Sequence, residues 1–396
     1  MLRALFARIT FSRDPVVNFH AFWLGVRDHY ASLERRRVDW AFVRQLYGEA
    51  VTPATSDDDL LLALHESVAL CDDASLQLIA PRVGSNSRVG RGRQLAMLAA
   101  QQAQARALDV VQRNHLTQGG RRFAHHFVCG ILNAETSPGW RIGYVALAAM
   151  DGFVQFALPR VDALVPSWSA KPDKRPVRAE PPATVAIPEL YDLESMRWSL
   201  EAILKVLGDV DGLILDLRFN GGGGSLVSAL AVASFFTADR TLAFSTDDKL
   251  SGFGTAGPRF SKRRRHFVPY STRSTPYLGP LAVLQSEYTR GTAELLCLSL
   301  MNRPRTCRVG AATAGHLSAT LKLRLPNYWT VEIPHQRCFS ADGELYEGVG
   351  IPPTQGAPIF SDSPESPTGS SGPSSPNGSS VVDPCVKKAI EHLMNL

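Results

Sequence analysis

The most informative segment of this 396-residue chain reads Asp211-Gly-Leu-Ile-Leu-Asp-Leu-Arg-Phe-Asn220-Gly-Gly-Gly-Gly224. Its short apolar run, 213–215, is typical of a strand buried on both faces of a sheet. The glycines that follow Asn220 form a turn whose backbone amides can bind an anion. A helical pattern, Leu226 to Phe236, comes next. The order of strand, glycine turn and helix predicts an α/β fold.

The same alternation extends on both sides of this segment. Strands are predicted at 142–147, 183–187, 281–284 and 306–309, helices at 195–207 and 292–301, and a late β region at 321–333. Strands that alternate with helices favour a largely parallel sheet. Residues 16–78 instead repeat apolar side chains at helical spacing, which predicts a separate helical bundle.

These patterns divide the chain into five parts. We predict an N-terminal helical domain (1–78), a helical or irregular connecting segment (79–140), an α/β domain (141–360), a Ser/Pro/Gly-rich flexible segment (361–380) and a C-terminal helix that docks on the core (381–396). The fourth part is predicted to be flexible because sixteen of its twenty residues are Ser, Pro or Gly.

Composition excludes several classes of partner. The balance of 42 Lys+Arg against 37 Asp+Glu leaves a net charge of +5, too small over this length for a dedicated nucleic-acid or membrane surface. Six cysteines without a C-x-x-C pair predict reduced, buried thiols and no metal site. Arg3 and Arg8 interrupt the apolar residues at the N-terminus, so we expect no signal peptide and a cytoplasmic location. The sequence indicates no oligomeric state.

The glycine turn does not match either common nucleotide-binding loop. A Walker loop needs a Lys that is missing here, and a dinucleotide loop needs Gly where Leu226 stands. We therefore expect no cofactor. Two interpretations remain: a purely structural turn, or an oxyanion hole made by the amides of Gly222 and Gly223.

Four segments together resemble one family. They are the glycine segment above, Ser286-Glu-Tyr-Thr-Arg-Gly-Thr-Ala-Glu294, Gly310-Ala-Ala-Thr-Ala-Gly-His316 and Asp342-Gly-Glu-Leu-Tyr-Glu-Gly-Val-Gly-Ile-Pro-Pro353. They look like the successive signatures of the S41 serine peptidases, which include the tail-specific (C-terminal processing) proteases, the tricorn core and the interphotoreceptor retinoid-binding domains. The resemblance implies a helical domain packed on a peptidase-like β/α sandwich with a ClpP/crotonase-like core. Residues 79–140 do not resemble a PDZ domain, so none is expected.

The resemblance also implies that two catalytic positions are vacated. The family's nucleophilic serine falls at Gly291, in the segment Thr289 to Glu294, and the histidine of the tricorn-like branch falls at Ser75. The lysine of the other branch falls at His316. Two acids of the family pattern are kept, Glu294 and Glu347.

These substitutions set the functional hypothesis. Covalent hydrolysis needs a nucleophile and a base in contact, so ordinary proteolysis is not expected. We predict an acid/base enzyme for a small-molecule or peptide substrate in the interdomain cleft, with two groups of site residues: catalytic His316, Glu294 and Glu347, and the oxyanion and binding residues Gly222, Gly223, Gly291 and Thr292.

Two alternatives stay open. One is a non-catalytic binding module for an apolar ligand or peptide, which predicts an apolar cavity with the acids turned away from it. The other is a serine-type endopeptidase whose nucleophile has moved to Thr292 or Thr289. The acid/base hypothesis instead predicts that the His316 side chain lies within hydrogen-bond reach of an acid.

Overall fold

The computed structural model describes residues 11–80, 88–133, 135–154, 187–254, 257–270, 275–360 and 382–395. The helices are α1 (Pro15–His29), α2 (Trp40–Val43), α3 (Asp57–Ala69), α4 (Arg88–Asn114), α5 (Ile187–Leu207), α6 (Leu226–Ala233), α7 (Thr292–Leu300) and α8 (Pro384–Leu393). The strands are β1 (Gln77–Ile79), β2 (Arg121–Phe123), β3 (Phe127–Ile131), β4 (Ile142–Leu147), β5 (Gly212–Asp216), β6 (Leu242–Gly254), β7 (Gly257–Phe260), β8 (Arg264–Phe267), β9 (Leu281–Gln285), β10 (Thr306–Gly310), β11 (Thr320–Arg324), β12 (Thr330–Pro334), β13 (Gln336–Ser340) and β14 (Gln355–Gly356). The predicted α/β class is confirmed.

A seven-stranded sheet forms the centre of the molecule, with strand order β14-β10-β9-β5-β4-β3-β2. Neighbours from β14 to β4 run parallel, and β3 and β2 continue the sheet antiparallel. β5 lies between β9 and β4 and is buried along its whole length, as its apolar run predicts. The sheet begins at Arg121, inside the segment that the sequence suggested as a connector.

Helices cover both faces of this sheet. One face packs against α5, α6 and α7 around Leu213 and Leu215, and the other packs against α8 and the end of α4 around Ile214. Successive side chains of β5 therefore pack in the cores on opposite faces of the sheet, because side chains alternate along a strand.

A buried ion-pair group attaches α8 to the sheet. Arg218 donates to Asp216 at the end of β5 (2.6 Å) and to Asp383 (2.8 Å). Asp383 also caps α8 by accepting from the amides of Cys385 and Val386. The pair is buried on both sides, so neither carboxylate is screened by solvent.

The N-terminal helices form a second unit that is tied to the core. Their apolar side chains share a cluster with residues of β12, and β1 pairs antiparallel with β12. Lys249 of β6 reaches the last turn of α1 and donates to the carbonyls of Arg27 (2.9 Å) and Tyr30 (2.8 Å). A cation at the C-terminus of a helix is a favourable partner for its carbonyls. The two units therefore have a fixed relative position.

Two predicted segments fall outside the described residues. They are 361–380, and the strand at 183–187 except for Ile187, which begins α5. In the described ranges, no helix has both the length and the apolar character needed to cross a bilayer. All six cysteines are buried and none forms a disulfide.

Candidate active site

The glycine turn lies at the carboxyl end of β5 and is held by Asn220. The Asn220 side chain donates to the carbonyl of Leu147 (3.0 Å) and accepts from the amide of Gly222 (2.9 Å). Gly222 has φ +87°, and a Cβ there would lie 2.7 Å from the carbonyl oxygen of Arg290. Glycine is therefore required at 222 for both conformation and space. The Gly222 amide is already bonded, so it cannot serve an oxyanion without breaking that bond.

Gly291 lies directly opposite this turn, at the N-cap of α7. Its backbone has φ 58° and ψ −122°. A Cβ added there would meet only the Cα of Gly222, at 3.9 Å. The position that the family resemblance assigns to the nucleophile thus faces the glycine turn and has room for a side chain.

The two amides best placed as oxyanion donors belong to Gly223 and Thr292. The Thr292 amide is in the first turn of α7, where helix geometry supplies no acceptor. Neither amide has a hydrogen-bond partner in the part of the chain that the structure describes. The Thr292 hydroxyl donates to the carbonyl of Gly223, which holds the two residues in contact.

Both threonines considered as relocated nucleophiles use their hydroxyls in other hydrogen bonds. Thr292 is bonded to Gly223 as described above. Thr289 is fully buried, donates to the carbonyl of Leu217 (2.9 Å) and accepts from the amide of Ser286 (3.0 Å). These contacts argue against either hydroxyl as a nucleophile.

Glu294 is a fully buried carboxyl group surrounded by donors. One oxygen accepts from the Thr313 hydroxyl (2.6 Å) and the Gly315 amide (2.7 Å). The other accepts from the amides of His316 (2.8 Å) and Gly291 (3.1 Å). Burial raises the pKa of Glu294 to about 7, although the four hydrogen bonds lower it. Glu294 therefore fastens the 313–316 loop to the start of α7.

His316 follows Gly315 on that loop, and its ring is half-buried. Its backbone amide bonds to Glu294, whereas its ring makes no hydrogen bond to an acid among the described residues. Burial lowers the pKa of His316; the negative charge of Asp73 opposes this shift, and the positive charges of Arg290 and Arg36 add to it. At neutral pH the imidazole is therefore uncharged and able to accept a proton.

Glu347 is the second buried acid, and it has a different environment. One oxygen accepts from the amide of Leu317 (2.9 Å), and the other has no partner among the described residues. Burial raises the pKa of Glu347 well above its usual range, with further increases from the negative charges of Asp73 and Glu294. The surroundings of Glu347 therefore favour its protonated form more than water does.

Asp73 is a member of this group that sequence reasoning missed. It is buried in the N-terminal unit, where it accepts from the Tyr30 hydroxyl (2.7 Å) and from the amide of Ser75 (2.9 Å). Its charge acts on the pKa values of both His316 and Glu347. The sequence signal is local, because Asp73 lies two residues before Ser75, the position that corresponds to the family histidine.

The N-terminal unit also contributes a cation to this junction. The Arg36 guanidinium lies 3.8 Å from the Asp73 carboxylate and packs over Gly348. The neighbouring Arg35 donates to the carbonyl of Leu345 (3.2 Å). Glu347 is thus covered by residues of the N-terminal unit. Within the described ranges, no group of three or more His, Cys, Asp or Glu side chains could hold a metal ion.

The family comparison agrees with this geometry. A profile of peptidase family S41 matches residues 183–356, which contain the glycine turn, Gly291, Glu294, His316 and Glu347. In sequence, this part of the chain is similar to peptidase family S41. No curated protein is significantly similar to the chain in sequence.

Solved structures of other proteins show the same S41 fold over most of the chain. A protein from Parabacteroides merdae described as a candidate peptidase is 20% identical, with a TM-score of 0.62 over 88% of this chain and 91% of that one. Mature CPAF, solved in complex with lactacystin, is 13% identical, with a TM-score of 0.57 over 88% of this chain and 94% of its own. At these identities the likeness concerns the fold.

Proposed function

We propose that this S41-fold protein does not hydrolyse peptide bonds and instead moves protons next to the carbonyl group of a small-molecule or peptide-derived substrate. The observation that carries the proposal is the vacant position at Gly291, where an added Cβ would meet only the Cα of Gly222 in the glycine turn, at 3.9 Å. The substrate would lie in the cleft between the N-terminal unit and the main sheet.

The absence of hydrolysis follows from the missing nucleophile. Removing the nucleophile or base of a serine hydrolase lowers turnover by about 10⁶. The hydroxyls of Thr289 and Thr292 are bonded to backbone carbonyls and do not compensate. An oxyanion hole without a nucleophile still binds and polarises a carbonyl oxygen.

The proton chemistry follows from two opposite pKa shifts. His316 is uncharged and can accept a proton from the carbon next to the carbonyl. Burial raises the pKa of Glu347, which favours its protonated form and suits it to donate a proton. A pair of groups whose surroundings displace their pKa values in opposite directions is typical of an acid and a base in one site. The amides of Gly223 and Thr292 would stabilise the enolate oxygen formed in between.

The test combines a hydrolase probe with a proton-exchange assay. The protein is incubated with unstructured casein and with a serine-directed fluorophosphonate, and we expect neither cleavage nor labelling. In deuterated water, NMR should show exchange of the proton next to the carbonyl of N-acetyl amino-acid amides, and His316→Ala should abolish it. Labelling of the wild type that Thr292→Ala removes would contradict the proposal and assign a relocated nucleophile.

A second candidate function is binding without chemistry. It is favoured by one observation: the His316 ring makes no hydrogen bond to an acid among the described residues. A binding module would retain ligand affinity in His316→Ala and would show no exchange in either protein.

A further inference from the structure

A separate cavity of about 290 Å³ opens between α4 and the carboxyl ends of β4 and β5. Its floor includes Val128 and Ala146, which belong to the core on the α8 face of the sheet. The helix α7, which begins beside Gly291, packs on the opposite face. The cavity therefore opens mainly on the face of the sheet opposite α7, and it approaches the glycine turn only at Leu147 and Phe219.

The floor of the cavity combines apolar side chains with one acid. Leu147 is buried there, and the Phe219 ring stacks on Tyr288 at 5.6 Å. The one acid on the floor, Asp216, accepts from the Tyr144 hydroxyl (2.6 Å) and from Arg218, so it needs no partner from a ligand. A flat apolar group can occupy this space without leaving a buried polar group unpaired.

The rim of the cavity is polar and carries positive charge. Gln101 and Gln104 of α4 face Arg122 and His125 of the β2–β3 hairpin. In the described part of the chain, none of these four side chains has a hydrogen-bond partner. An arginine that is free to bind a planar anion with two parallel hydrogen bonds favours a carboxylate.

We propose that this cavity is a second small-molecule site, for a flat apolar ligand that carries a carboxylate. The apolar part lies on Leu147 and Phe219, and the carboxylate lies at the rim beside Arg122. The volume is close to the lower end of known ligand pockets, about 300 Å³, which suits a ligand of about two fused rings.

The first experiment measures binding of 2-naphthoate and of neutral 2-naphthamide to the full chain by calorimetry. We expect naphthoate to bind at least about tenfold more tightly. Arg122→Gln should lower the affinity for naphthoate to that for the amide. Arg121→Gln is the matched control, because Arg121 is exposed on the same strand and does not line the cavity. Equal affinity of the two compounds, or no binding of naphthoate at about 1 mM, would overturn the proposal.

The second experiment locates the ligand. Ala105 is an exposed helical residue that lines the cavity, so Ala105→Trp fills the space without disturbing a core. We expect it to remove binding of both compounds while leaving Tm unchanged. His316→Ala should leave the affinity for naphthoate unchanged. Loss of binding in His316→Ala, or normal binding in Ala105→Trp, would show that the ligand lies elsewhere.

Discussion

Glu294 and Glu347 are two glutamates of the same junction, both almost completely buried, yet their surroundings differ. Glu294 accepts four hydrogen bonds from the 313–316 loop and the start of α7. Glu347 accepts one from Leu317, and its other oxygen has no partner among the described residues. Burial raises the pKa of both. Retention of a family acid therefore does not define its role: Glu294 holds the backbone of the site together, whereas Glu347 keeps one buried oxygen without a hydrogen bond among the described residues.

The largest expected effect is on stability, in Glu294→Gln. The amide nitrogen of Gln cannot accept a hydrogen bond, so two of the four donors around Glu294 would lose their partner. Each buried donor left without an acceptor costs about 1–3 kcal/mol, so we expect a loss of about 3 kcal/mol or more in the free energy of unfolding. Urea denaturation measures it. A variant as stable as the wild type would show that the four hydrogen bonds do not hold the loop.

The next effect concerns pH, and Glu347→Gln isolates it. A carboxyl whose pKa is raised by folding favours the native state at low pH, and stability falls as pH rises above the unfolded pKa, by at most about 1.4 kcal/mol per pH unit. Glu347→Gln removes the contribution of Glu347 to the pH dependence of the free energy of unfolding and leaves the contribution of Glu294 in place. We expect the variant to gain stability relative to the wild type as the pH rises above the unfolded pKa of Glu, about 4.3. Parallel stability curves would mean that Glu347 is ionised in the folded protein.

A smaller loss of stability is expected for Gly291→Ala. Gly291 is the residue whose backbone amide donates to Glu294. The positive φ of 58° strains any residue with a side chain, while the nearest atom to the new Cβ is 3.9 Å away. We expect a loss of about 1–2 kcal/mol, measured by urea denaturation. Gly222→Ala is the control with a steric clash, since its Cβ would lie 2.7 Å from the Arg290 carbonyl oxygen. Gly222→Ala should therefore lower the free energy of unfolding by more than Gly291→Ala does. A larger loss of stability in Gly291→Ala than in Gly222→Ala would contradict the packing of the glycine turn against the start of α7.

The smallest effect on stability is expected for His316→Ala. The backbone amide that bonds to Glu294 is unchanged by this substitution, and the ring is only half-buried. We expect a change in the free energy of unfolding within about 0.5 kcal/mol, together with complete loss of the proton exchange proposed above. A large drop in Tm with normal exchange would place His316 among the structural residues with Glu294.

The central strand and the glycine turn were predictable from sequence because their signals are local. A strand buried on both faces reads as a continuous apolar run, and the glycines fit positions of positive φ that other residues adopt with strain. The approach of Gly222 to Gly291 was expected from the family resemblance, and the structure brings the two into contact.

Three features were not predicted, for different physical reasons. The Asn220 side chain accepts a hydrogen bond from the Gly222 amide. Asn favours such local turn contacts, so the sequence did contain a signal for this one. Asp73 joins the site through the packing of the N-terminal unit on residues more than two hundred positions away, which no local pattern encodes. The strands β2 and β3 are short, and the exposed residues of β2 do not alternate between polar and apolar, so the start of the main sheet was missed.

The buried ion pair between Arg218 and Asp383 has a consequence for the integrity of the chain. It joins α8 to the sheet without a covalent bond, together with five buried residues of the helix, Cys385, Val386, Ala389, Ile390 and Leu393. Removing α8 would take away Asp383, the acceptor of one guanidinium nitrogen of the buried Arg218, and breaking a buried pair costs about 3–5 kcal/mol. A cut in the backbone between Phe360 and Val382 would therefore leave both pieces assembled, and the protein could be rebuilt from two separately produced fragments, in the manner of a split reporter.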